Sequence, residues 1–97
     1  MTVIERLGDA IYQLHGAQAT RRESVPVKET WEGRTIWDGV VEVYDLQGHP
    51  DTDTAYAWLH DTGKQFLPVT VLHIHPALSP AKAVRAFIIQ EYGHAQA

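Results

Sequence analysis

The sequence predicts an α+β domain: a two-layer sandwich of a four-stranded antiparallel sheet with an N-terminal and a C-terminal helix on one face, in the order α-β-β-β-β-α. Three observations carry this. Apolar residues recur at helical spacing at the two ends of the chain. Between them lie runs rich in β-branched and aromatic residues, separated by turn residues. The run at 34–46, RTIWDGVVEVYDL, sits between Glu32-Gly33 and Gln47-Gly48-His49-Pro50, and its 13 residues exceed the typical strand of about 5–6. It reads as a central strand, bent at Gly39, whose halves pair with different neighbours.

The first helix is expected over residues 2–16. Thr2-Val-Ile-Glu5 has the form of a capping box, Val3, Leu7, Ile11 and Leu14 with Ile4 and Ala10 follow at helical spacing, and Gly16 accepts the left-handed stop. Residues 17–22 are polar and read as a linker, with Arg21-Arg22 as the only adjacent basic pair. Residues 24–31 alternate weakly around Pro26, which marks an edge strand because proline cannot donate to a ladder.

A three-residue loop, Trp31-Glu32-Gly33, would close Thr30 against Arg34 and set Val27 opposite Trp37 and Val25 opposite Gly39. Val25, Val27, Trp37, Val41 and Val43 then share one face. A two-residue Glu-Gly turn would need a left-handed glutamate and would exchange the faces.

After a loop at 47–53, strand 3 is expected at 54–60 and strand 4 at 66–75. A two-residue Thr-Gly turn between them aligns Ala55, Ala57 and Leu59 with Leu72. A three-residue turn would bring Tyr56 and Trp58 instead. The alanines are preferred, since small residues let a helix lie close to the sheet. Pro68 marks strand 4 as a second edge, or as bulged there. Pro76 ends it. Ser79 caps helix 2, Pro80 opens it, Val84, Phe87, Ile88 and Tyr92 form its buried stripe, and Gly93 closes it. The tail at 94–97 is expected to fray.

Ninety-seven residues form one domain, 1–97, with no room for a second core. Apolar residues make up 44% and charged residues 21%, the composition of a folded globular chain. No apolar run approaches the ~20 residues of a membrane span. The acidic residues near the start do not suit a signal peptide, so a cytoplasmic location is expected. There are no cysteines, which removes disulfides and thiolate chemistry. A net charge of −4 argues against sequence-independent nucleic-acid binding, which needs a basic footprint. No phosphate-binding glycine loop or nucleophile elbow occurs, so no cofactor and no catalytic residue is assigned.

Four constellations remain. His73 and His75, two apart on a strand, would point the same way, and the two-residue turn adds His60. Three imidazoles with one open position suit zinc and possible hydrolytic chemistry. His49, Asp51 and Asp53 form an oxygen-rich loop that lacks the ligand series of a calcium site and reads as a polar turn. Asp38 and Glu42 lie roughly 13 Å apart along a strand, too far for a glycosidase pair. Tyr44, Tyr56 and Trp58, with Val69 and Val71, fall on the sheet face that two helices on one side would leave open.

That face suggests a homodimer or protein interface, where tyrosine and tryptophan are enriched. An RNA-stacking platform ranks below it, because basic residues are scarce. The stretch WEGRTIWDGVVEVYDLQGHP, with SPAKAVRAFI later, resembles short uncharacterised bacterial proteins of about this length. The resemblance covers the chain from about Val25 onward and implies no activity or site. The sequence-level reading is a non-catalytic binding or regulatory module that self-associates through its open sheet face. A metal-dependent site on His73 and His75 is the alternative.

Overall fold

The computed structural model describes residues 2–93. The expectations for the Tyr92 side chain and for residues 94–97 fall outside the described residues. Helix α1 runs Val3–His15. Thr2 caps it, its hydroxyl oxygen accepting the Glu5 N–H at 3.1 Å while the hydroxyl donates to the Glu5 carboxylate at 3.0 Å. Gly16 closes it at φ 70°, donating its N–H to the Tyr12 carbonyl at 2.8 Å. The buried stripe is narrower than the periodicity suggests: Leu7 and Ile11 are buried with Ile4 against them, whereas Val3 and Leu14 are exposed.

Strands β1 (Gln18–Trp31) and β2 (Arg34–Gln47) form a long antiparallel hairpin, followed by β3 (Thr54–Asp61) and β4 (Phe66–Leu72). The sheet order is β1-β2-β3-β4, so β1 and β4 are the edges that Pro26 and Pro68 signalled. The expected linker at 17–22 is instead mostly strand: β1 starts at Gln18 and supplies the partner that the first part of the hairpin needs. Helix α2 runs Pro80–Gly93, with the Ser79 hydroxyl accepting the Lys82 N–H at 3.2 Å.

The β1–β2 turn is not the three-residue loop that the sequence favoured. Trp31 pairs with Arg34 across a two-residue turn, with Glu32 at φ 50° and Gly33 at φ 77°. Such a turn alone would exchange the faces. A bulge restores them: between the Thr30–Thr35 and Glu29–Trp37 pairs, Ile36 is the extra residue. Val25, Val27, Trp37, Val41 and Val43 therefore do share one face, shifted by one pair, with Val27 opposite Gly39 and Val25 opposite Val41. A second irregularity at Arg22 brings Ala19 opposite Leu46 and Arg21 opposite Tyr44.

Helix placement departs from expectation. Val43 pairs with Tyr56 and Tyr44 with Ala55, so the valine face of the hairpin continues into Tyr56 and Trp58, not into the alanines. Each face has its own helix. One core packs α2, through Ala83, Val84, Phe87 and Ile88, on Val27, Val41, Val43, Tyr56 and Trp58. The other packs α1, through Ile4, Leu7 and Ile11, on Tyr44, Leu46, Ala55 and Ala57. The α+β class, the antiparallel sheet and the element order hold. The two helices do not share a face: the arrangement is helix, sheet, helix, and the two-layer sandwich with an open face is corrected accordingly.

The β3–β4 register aligns Ala55 with Leu72 and Leu59 with Pro68, the faces expected from a two-residue turn. The turn itself holds four residues, 62–65, closed by the Thr62 N–H to the Gln65 carbonyl at 3.0 Å. Two and four are both even, so the faces agree while the register moves.

Candidate functional site

The five residues assigned to an open face are internal or half-buried. Tyr56 and Trp58 lie under α2, with Val69 and Val71 packed against them, and Tyr44 lies under α1. Tyr44 is 1% exposed, Tyr56 4% and Trp58 2%. None of the three can stack a base or meet a second subunit, because each fills the space beneath a helix. The Tyr44 hydroxyl donates to the Ile4 carbonyl at 2.6 Å. Burial, followed by the Glu42 carboxylate, pushes its pKa up to about 12 against the opposing pull of Arg21. Burial likewise raises the Tyr56 pKa, with Arg22 opposing and Glu23 adding to the shift.

The proposed histidine triad does not form. Strand β4 ends at Leu72, so strand alternation cannot align His73 with His75. The His73 N–H donates to the Thr54 carbonyl, six residues along β3 from His60, which at about 3.3 Å per residue separates the two by roughly 20 Å. His60 lies edge-on to Phe87, ring centroids 5.0 Å apart. His73 Nδ1 is 2.6 Å from the Tyr56 hydroxyl. His75 is exposed beside a recess of about 260 Å³ formed with Pro76 and with Lys82, Arg85, Ala86 and Ile89 of α2. Among the described residues, no three His, Cys, Asp or Glu side chains come together as a metal cage.

The other charged constellations are engaged locally. The Asp51 N–H donates to His49 Nδ1 at 3.1 Å and the Thr54 hydroxyl to Asp53 at 3.0 Å, which is turn chemistry. Arg21 lies 3.9 Å from Glu42 and Arg22 lies 3.1 Å from Asp45. Asp38 opposes Lys28 across the hairpin. Arg85 of α2 binds Glu29, a carboxylate that β1 carries into the α2 side of the sheet.

Two surfaces stand out once the cores are accounted for. The first is the outer half of the hairpin. Strand β3 pairs with β2 only over residues 42–45, so residues 24–41 continue as a two-stranded ribbon. Helix α2 covers one side of it, through Val25, Val27 and Trp37. On the other side the α1 core ends at Tyr44, leaving Pro26, Lys28, Asp38 and Val40 exposed. Trp31 is 67% exposed, Val40 50% and Ile36 42%. The second is a groove of about 540 Å³ between α1 and the free edge of β1, running from Ile4 to Tyr12 on the helix and over residues 18–21 on the strand, with Tyr44 at its base.

Sequence reasoning missed both surfaces. The signals present were the long β2 strand, which calls for an equally long partner, Gly8 in the middle of a helix, and like charges at Glu5 and Asp9 four apart on α1. Among the described residues, no helix is long and apolar enough to cross a membrane. Comparison with protein-family models, with curated proteins and with solved structures finds no match to this chain.

Proposed function

We propose that this protein is a non-catalytic binding module that self-associates through the outer half of its β1–β2 hairpin. The observation that carries the proposal is the uncovered side of that ribbon, where Val40, 50% exposed, lies beside exposed Pro26, Lys28 and Asp38. Two-stranded ribbons are marginal in water without packing on a face, and this one has packing on one side only. The register favours a second copy as the occupant. Lys28 lies opposite Asp38 and Pro26 opposite Val40 on the bare side. A two-fold copy can set each charge against its opposite, so one self-complementary patch serves both chains.

Size sets the strength. Eight residues of strand span about 26 Å and two strands about 10 Å, so the bare side offers roughly 260 Å² per chain. That is well under the about 800 Å² per partner of a stable interface, and the contact is accordingly weak and reversible. Support for binding over chemistry comes from how the reactive side chains are engaged: His73 with Tyr56, His60 with Phe87, Arg85 with Glu29.

Sedimentation velocity over about 10 µM to 1 mM tests the proposal, the range in which a weak dimer changes its population. The average mass should climb from 10.9 kDa toward twice that value. Val40→Lys and Val40→Glu should each hold the chain as a monomer without moving its urea midpoint, since the position is exposed. A constant monomer mass across the range, or variants that associate like the wild type, would refute it.

A further inference from the structure

We infer that the groove between α1 and β1 binds an extended peptide segment carrying a lysine or arginine side chain, taken up as an added strand on the free edge of β1. This surface is separate from the hairpin ribbon and does not depend on the self-association proposed above.

The groove meets the strand along its edge. Four consecutive β1 residues, 18–21, line it, although alternate residues of a strand point to opposite faces. Ala19 pairs with Leu46 and Arg21 with Tyr44, both of which pack on the α1 side. Gln18 and Thr20 point the other way and still reach the groove. A concavity touched by both sets contains the strand's outer edge. Because β1 is the outermost strand, the N–H and C=O groups it directs outward there have no neighbouring strand, and such an edge is a template for one more.

The opposite wall explains why the space exists. Gly8 brings no side chain: a Cβ placed there would lie 3.6 Å from the Tyr44 ring and 3.8 Å from the Ala19 carbonyl oxygen. Helix and strand approach each other at that point, and the room above it stays open. The volume of about 540 Å³ lies within the about 300–1,000 Å³ of ligand clefts, and four strand residues span about 13 Å, the length of a short peptide in extended form.

Charge selects the occupant. Glu5 and Asp9 project from successive turns of the helix wall, and Tyr12 stands beside them, 57% exposed. On the strand wall the one cation, Arg21, is already engaged by Glu42 and Ser24. Two carboxylates next to an exposed aromatic face favour a cationic side chain, through ion pairing and cation–π attraction. An acidic segment meets like charge along the same wall.

The probe is an acetylated, amidated heptapeptide of alternating valine and arginine, titrated into the 15N-labelled full chain and followed by amide chemical shifts. Perturbations should concentrate at residues 5–12 and 18–21. Replacing the arginines of the peptide by glutamate should abolish the shifts, and N-methylating alternate backbone amides should do the same by removing the strand hydrogen bonds. The double variant Glu5→Lys, Asp9→Lys should weaken binding about tenfold, and the milder Glu5→Gln, Asp9→Asn should weaken it in the same direction if charge reversal disturbs the helix. Shifts centred elsewhere, equal binding of the glutamate or N-methylated peptide, no binding at millimolar peptide, or unaltered affinity in both variants would each overturn the inference. Concentration-dependent shifts at 18–21 without peptide would assign the edge to a second copy instead.

Discussion

Trp58→Ala is the sharpest test of a sheet covered on both faces. In a two-layer arrangement with its outer face open, Trp58 would be a surface residue, and truncating it would cost little. Here it is 2% exposed, with Trp37 edge-on to it at 5.7 Å and Phe87 at 5.6 Å between ring centroids. A buried tryptophan removes about 150–250 Å² from water, which at about 25 cal/mol per Å² is worth roughly 4–6 kcal/mol as an upper figure. The two ring contacts add about 0.5–1.5 kcal/mol each. Against this, the buried indole N–H has no hydrogen-bond partner among the described residues, and losing it returns about 1–3 kcal/mol. The net cost is about 3–5 kcal/mol, the usual range for a buried tryptophan truncation, against a total of about 5–15 kcal/mol for a domain of this size. Urea denaturation followed by far-ultraviolet circular dichroism measures it without relying on the deleted fluorophore. Trp58→Phe should cost less, because it keeps a ring between Trp37 and Phe87 and removes the unpartnered N–H. A loss below about 1 kcal/mol for Trp58→Ala with an unchanged denaturant slope would refute the packing of α2 on this face.

Gly8→Ala should stabilise the chain by about 0.5–1 kcal/mol, because the added methyl meets only ordinary contacts and alanine is the better helix former; a fall in melting temperature would contradict that packing. His15 provides the pH test. Burial, then the charge of His49, lowers its pKa below 6.5, so the unfolded chain takes up the proton first as pH falls. The stability it contributes is present above about pH 6.5 and is lost as pH falls through its folded value. His15→Gln should flatten that loss in urea midpoints measured at about pH 7.5 and 5.5, and an identical fall in variant and wild type would remove His15 as its source.

Residues with strong local preferences were the legible ones. Thr2 and Gly16 bound α1 because a cap and a left-handed stop are decided within a few residues. Ser79 and Pro80 open α2 for the same reason. Pro26 and Pro68 marked the sheet edges correctly, since a missing N–H is a local fact wherever the strand lies. Residues 17–22 were illegible because AQATRR carries almost no apolar pattern. Strand formation there is imposed by the length of β2 and by Ala17 and Ala19 fitting beneath α1. His73 and His75 misled because their alternation has meaning only on a strand, and β4 has ended before them.

Faces of a sheet depend on parity, and parity accumulates along the chain. In the β1–β2 hairpin, a left-handed Glu32 and a bulge at Ile36 each reverse the faces, and together they cancel. In the β3–β4 hairpin, a turn of four residues in place of two leaves them unchanged. Each connection is short enough for its residues to limit the count. The connection from β2 to β3 is different. Between the paired residues Asp45 and Thr54, Gly48, Pro50 and the acidic residues mark a turn without fixing how many residues it consumes. One unit of parity there decides whether Val43 lies beside Tyr56 or beside an alanine. With Val43 beside Tyr56, the bulky residues of β2, β3 and β4 collect on one face and the small ones on the other. Ala55 and Ala57 let α1 sit close over Tyr44, while Trp37, Trp58 and Phe87 fill the deeper space under α2. Both faces then need a helix, and the chain has one at each end to supply it. The same division uses up the aromatic residues that otherwise look like a binding face. What the two helices leave uncovered is one side of the hairpin's outer ribbon and the free edge of β1 beside α1.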